Sequence, residues 1–147
     1  MIETSTLSLS GAPHIVVTNC NGVVKHDFTV KNMVVTTGKV FFATRALGAA
    51  AAPMSHLAVG SSAAAVVAAD NMLGAELARV ALTSATNTDN TITYVAFFAP
   101  GVGTGAITEA GIFNADTAGT MLNRATFPVI NKSASDSMTI TWNVTVN

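Results

Sequence analysis

Three histidines, a single cysteine and eight carboxylates are the groups in this 147-residue chain that could carry chemistry. His14, His26 and His56 do not pair with Cys, Asp or Glu at the spacing of a recognised metal site. Only His26-Asp27 sets a carboxylate beside an imidazole, and a third ligand would have to come from elsewhere. They read as surface or partly buried polar residues, and no metal or cofactor is expected. Cys20 would serve as a nucleophile only with a base beside it, and otherwise is a thiol flanking a turn. Gly101-Val102-Gly103-Thr104-Gly105 fits neither the dinucleotide nor the P-loop spacing and precedes a strand pattern instead of a helix, so it reads as a flexible connection. Contact with a neighbouring subunit is its functional alternative.

Arg79, Glu109 and Arg124 are more informative, because each interrupts an otherwise uncharged stretch of strand character. Long side chains of opposite sign on adjacent strands can form a cross-strand pair. The catalytic alternative, acid/base attack on a glycosidic bond, would require a second carboxylate near Glu109. Asp116 and Asp136 are the nearest in sequence, and both sit in turn-like contexts. The three residues are therefore expected to form a structural ion pair, within or between subunits, and no enzymatic activity is expected.

The elements that must position them are mostly strands. Met138, Ile140, Trp142, Val144 and Val146 alternate with Ser137, Thr139, Thr141, Asn143 and Thr145, the period of a half-buried strand. Further strands are predicted over Thr120–Phe127, ended by Pro128, and over Ala106–Asn114, Thr91–Ala99 and Ala75–Ala85, with Asn87-Thr88-Asp89-Asn90 as a hairpin turn. The Thr91–Ala99 stretch is apolar on both faces, which predicts cover on both sides by a second layer or another subunit. His14–Asn19 and Val23–Val30 form a hairpin around Asn21-Gly22. A helix lies within Lys31–Leu47, in its shorter form from Gly38, with Thr36 or Thr37 as cap and Gly48 as stop. A short strand at His56–Val59 then leads into an extended loop. Seven or eight strands and one short helix predict a mainly β fold, a single-domain antiparallel β-sandwich or small barrel spanning residues 1–147, with residues 1–12 as an extended arm.

Composition narrows the partners. Hydrophobic residues make up 50% and charged residues 10% of the chain, against roughly 25% charged in an ordinary soluble domain. So weakly charged a surface is expected to be covered by neighbouring subunits. The net charge of -1 provides no basic excess for phosphates, so neither nucleic acid nor a membrane surface is an expected partner. The amino terminus has no secretory pattern, and the lone cysteine fits a reducing compartment. Pro53, Gly48, Gly60 and His56 break the apolar stretch Ala46–Ala69, which therefore does not read as a membrane span.

Asn32-Met33-Val34-Val35-Thr36-Thr37-Gly38-Lys39 fits an N-x-V-x-x-G-K opening, and His56-Leu57-Ala58-Val59-Gly60 a strand ending Ala-Val-Gly. Leu73-Gly74-Ala75-Glu76-Leu77-Ala78-Arg79 fits L-x-x-E-x-x-R, Thr108-Glu109-Ala110-Gly111-Ile112-Phe113-Asn114 an E-A-G segment, and Asn131-Lys132 an Asn-Lys turn before the last strand. In this order, covering roughly residues 28 to 146, the five segments resemble a group of tailed-bacteriophage virion structural proteins. The resemblance is to small capsid decoration and head-fibre proteins, and less closely to the tail-collar fibre domain. The resemblance implies a non-enzymatic virion protein assembled in the host cytoplasm, most simply a capsid decoration (cement) protein that associates with itself, a trimer being favoured, and with the major capsid protein. The alternative it implies is a tail-fibre or collar subunit contacting tail proteins.

Overall fold

The computed structural model describes residues 5–48 and 51–147. Ten strands build two five-stranded antiparallel sheets that face each other as a β-sandwich. The first sheet runs β2 (Val24–Thr29), β1 (Leu9–Thr18), β10 (Ser137–Val146), β7 (Thr91–Phe98) and β6 (Ser84–Thr88). The second runs β3 (Met33–Val34), β9 (Met121–Lys132), β8 (Gly105–Phe113), β4 (His56–Gly60) and β5 (Glu76–Ala81). Among the described residues no helix is long and apolar enough to cross a membrane.

Strand β10 occupies the middle of the first sheet, between β1 and β7, and its period-2 pattern explains why. Met138, Ile140, Trp142 and Val144 are wholly buried, whereas Thr139, Thr141, Asn143 and Thr145 face away from the core. Burying side chains of this size stabilises by about 1.5–3 kcal/mol each. Trp142 also needs a partner for its indole N–H, and donates it to Asn32 Oδ1 at 3.2 Å, tying the segment after β2 to the centre of the sheet. Across the core lie Leu57 and Val59 of β4, Ile107, Ala110 and Ile112 of β8, and Leu122, Ala125 and Phe127 of β9.

Several boundaries depart from the sequence expectations. Ala75–Ala85 is not one strand: β5 ends at Ala81 and β6 begins at Ser84 in the opposite sheet. At the crossing, the Leu82 N–H donates to Ser55 O and the Thr83 N–H to Val95 O, so each residue binds a different layer. Pro128 does not end β9, because it falls where the β8–β9 register shifts between Ile107 and Glu109. Beyond Arg124, β9 has no partner on its β3 side, and a proline is tolerated where no ladder bond is required. On β7, Tyr94, Ala96 and Phe98 are buried, but Phe97 on the other face is 48% exposed, so among the described residues no second layer covers it. Residues 1–4 of the expected arm lie outside the described residues, and Leu9–Ala12 are strand residues paired with Asn143–Val146.

The helix, α1, spans Thr36–Ala46, shorter than the widest expectation because Met33–Val34 form β3. Val35 is its N-cap residue and no side chain caps it. Thr37 instead donates its hydroxyl to Met121 O at 2.7 Å, and the Thr36 N–H donates to Ala68 O at 2.9 Å. Gly38 lets the helix touch β9: a Cβ there would lie 2.1 Å from Leu122 O. Gly48, at φ 72°, follows the last turn as a stop.

Candidate functional site

The rare charges converge on the outer face of the second sheet. Glu109 on β8 and Arg124 on β9 are diagonal neighbours, since Glu109 stands opposite Thr126 and Arg124 opposite Gly111. Arg124 Nε and Nη2 both reach Glu109 Oε2 at 2.9 Å. Glu109 is 0% and Arg124 2% exposed, so both charges are stripped of water and must be satisfied within the protein.

That satisfaction comes from the loop joining β4 to β5, residues 61–75. Glu109 Oε1 accepts the backbone N–H groups of Ser62 (3.1 Å) and Ala75 (2.8 Å), and Oε2 accepts that of Gly74 (3.0 Å). Arg124 Nη1 donates to Asp70 Oδ2 at 3.0 Å, and Nη2 to Ala64 O at 3.1 Å. Asp70 in turn accepts the Val67 N–H at 3.0 Å. One buried carboxylate and one guanidinium thus grip the loop at both ends and in its middle. Gly60, directly opposite Glu109 on β4, makes room, because a Cβ there would sit 2.4 Å from both Glu109 Oε1 and Ala75 O. Leu73 slots beneath the loop in a small apolar cluster with Val35, Ala58, Phe113 and Met121.

Arg79 belongs to the same face without joining this pair. Its guanidinium lies 3.8 Å from the centroid of the Phe113 ring, donates to Ala115 O and Ala118 O at 2.9 Å, and pairs with Glu76 at 2.7 Å. It therefore fastens the β8–β9 connection as Glu109 fastens the β4–β5 one. The sequence singles out Arg79, Glu109 and Arg124 by their rarity. It misses Asp70, which lies in a loop where a carboxylate attracts no notice, and it marks Glu76 only as part of the Leu73–Arg79 segment, without its pairing to Arg79.

A second polar knot sits at the other end of β9. Lys132, 1% exposed, donates through Nζ to Ala99 O at 3.2 Å and Asp136 O at 2.6 Å. Burial pushes its ammonium below the ordinary lysine range. The Asp136 carboxylate accepts from Lys25 Nζ at 2.5 Å and from the Ser133 N–H at 2.9 Å, and these bonds, Lys25 foremost, lower its pKa to about 2. Asn131 and Lys132 are not a turn but the last residues of β9, paired with Ala106 and Gly105, and with the turn that follows at Ser133–Asp136 they clamp β9, β10 and β2 together.

The remaining candidates stay apart. His14 Nε2 meets Asp27 Oδ1 at 2.6 Å on the outer face of the first sheet, His26 packs edge-on to Phe28, and His56 Nδ1 meets Ser55 Oγ at 2.8 Å. Among the described residues no group of three His, Cys, Asp or Glu could hold a metal ion. Cys20 is exposed in the β1–β2 turn, where Asn19 Oδ1 accepts the N–H groups of Asn21 and Val23. The glycine-rich loop connects β7 to β8, with Gly101 and Gly103 at φ 83° and 65°. Asp116 is exposed and Asp136 belongs to the clamp, so neither stands with Glu109. Every oxygen of Glu109 is engaged within the fold, which leaves it no lone pair directed at a substrate.

Comparison of the chain with protein-family models, with curated proteins and with solved structures finds no match.

Proposed function

We propose that this chain is a non-enzymatic structural subunit of a bacteriophage virion, and that it decorates the capsid by binding other subunits through preformed surfaces. The observation that carries the reading is the anchored loop. Buried charges are committed to holding residues 61–75 in place, yet Ala63, Ala64, Ala65, Val67, Ala68, Ala69 and Met72 of that loop are exposed. A loop that buries little of itself but is rigidly held is a preorganised docking surface, since ordering it at the moment of binding costs nothing further. Its apolar, nearly uncharged character suits contact with protein more than with nucleic acid or lipid headgroups. Two of the segments that resemble phage structural proteins, those ending at Gly60 and containing Glu109, supply the parts that grip it.

The test is rebinding. Purified chain added to capsids lacking it is expected to bind at saturable, lattice-defined sites, and Val67→Glu with Met72→Glu is expected to abolish binding without changing the fold. Failure of the wild-type chain to bind capsids, with binding to tail preparations instead, would favour the tail-fibre or collar alternative. Hydrolysis of host polysaccharide, lost on Glu109→Gln, would overturn both.

A further inference from the structure

Of the four sheet edges, three are guarded. Strand β2 carries Lys25, His26 and Asp27, β5 carries Glu76 and Arg79, and β3 is two residues long. Charges and shortness are the usual defences against pairing with another chain. Strand β6, Ser84-Ala85-Thr86-Asn87-Thr88, has neither: it is uncharged, free of proline, and exposed at all five positions. On the inner side of the sheet, Ala85 and Asn87 line an open depression floored by Ile92 and Val146.

The hydrogen-bonding alternation of an antiparallel ladder says which groups are free. Thr88 pairs with Thr91 across the two-residue turn Asp89-Asn90, with Asp89 at φ 53°. Residues flanking such a turn exchange their backbone hydrogen bonds, and so, two residues on, do Thr86 and Thr93. Ala85 and Asn87 therefore direct their N–H and C=O groups outward. A partner for this edge must be another extended strand, since only one can satisfy both residues in register.

We infer that β6 pairs with β6 of a second copy of this chain, antiparallel about a two-fold axis through Thr86. In that register Ala85 exchanges hydrogen bonds with the partner's Asn87, and Asn87 with the partner's Ala85. Thr86 faces the partner's Thr86, and Ser84 the partner's Thr88, all on the outer face. The strand is self-complementary: each group that needs a bond meets one, and hydroxyl side chains meet hydroxyl side chains across the pair. The result is a continuous ten-stranded sheet through two subunits. A two-fold contact generates assemblies of even number, so threefold association, if present, must use another surface.

This pairing is independent of the virion reading, because the anchored loop lies on the other sheet. Three variants test it in the purified full chain, read by analytical ultracentrifugation, circular dichroism and non-reducing electrophoresis. Wild type is expected as an even-numbered oligomer. Thr86→Lys sets two ammonium groups opposite each other, and Ala85→Pro removes an outward N–H that β7 does not use; each is expected to halve the particle mass with an unchanged spectrum. Thr86→Cys, in a Cys20→Ser background, places two sulfurs on residues whose Cα atoms lie about 4.5 Å apart in a non-hydrogen-bonded pair, within disulfide range. It is expected to form a disulfide-linked dimer on mild oxidation. A wild-type monomer at the highest soluble concentration, an oligomer whose mass both variants leave intact, or absence of the cross-link would overturn the pairing.

Discussion

Removing the Arg124 guanidinium leaves the Glu109 carboxylate enclosed with no countercharge. Breaking a buried pair from one side costs about 3–5 kcal/mol, so Arg124→Met is expected to lower the thermal midpoint by roughly 10 °C for a chain of this size. Adding Glu109→Gln to Arg124→Met is expected to recover part of that loss, since neither charge of the pair then remains buried; thermal melts of the single and double variants measure it. At the opposite end of β9, Asp136 is an acid whose folded pKa is about 2, against 3.8 for the free group. Its stabilisation is complete above about pH 4 and lost as pH falls through about 2, because the unfolded chain takes up the proton first. Lys25→Met removes the leading cause and brings the folded pKa back toward the free value, so urea midpoints recorded between pH 5 and 2 are expected to fall by less in that variant, and to finish falling at a higher pH, than in wild type.

Loop 61–75 is irregular and mostly exposed, yet its backbone is bonded to buried side chains. The Ser62, Gly74 and Ala75 amides are expected to exchange hydrogen nearly as slowly as strand amides, and to lose that protection in Arg124→Met while β10 keeps its own. Ala at Gly60 would collide with Ala75 O and Glu109 Oε1. Gly60→Ala is thus expected to cost about 1–3 kcal/mol by overpacking. Gly38→Ala poses the sharper contrast. Propensity alone favours Ala in a helix by about 1 kcal/mol, but the contact with Leu122 O requires α1 to move off β9, and a net loss of stability is expected in denaturant unfolding.

These elements also mark what was legible in the sequence. The alternation of Met138 to Val146 predicts a half-buried strand because burial and the pleat share one period, and β10 has that form. The division of Ala75–Ala85 between two sheets leaves no such trace, since Leu82 and Thr83 are ordinary strand residues whose partners, Ser55 and Val95, are remote in sequence. Rarity of charge exposes Glu109 and Arg124, whereas the role of Asp70 depends on where a loop folds back, which no local pattern encodes. The capping expectation at Thr36 and Thr37 fails because the helix begins one residue early, at Thr36: Val35 occupies the N-cap position, both threonines lie inside the first turn, and the Thr37 hydroxyl donates to Met121 O, a partner remote in sequence.

At the scale of the whole molecule, one property unites the proposed docking loop, the open β6 edge and the outer face that carries Phe97: each is exposed and carries little charge. A chain with 10% charged residues that leaves these surfaces open has the kind of surface the proposed association requires. The most direct measurement is a cryo-electron microscopy reconstruction of intact particles from a lysate producing this chain, with its copy number counted by quantitative mass spectrometry. Hundreds of copies on the outer capsid lattice, with residues 61–75 turned toward the shell, are the expected result. A chain absent from purified particles would contradict the account, and a few copies confined to the tail would contradict the capsid placement.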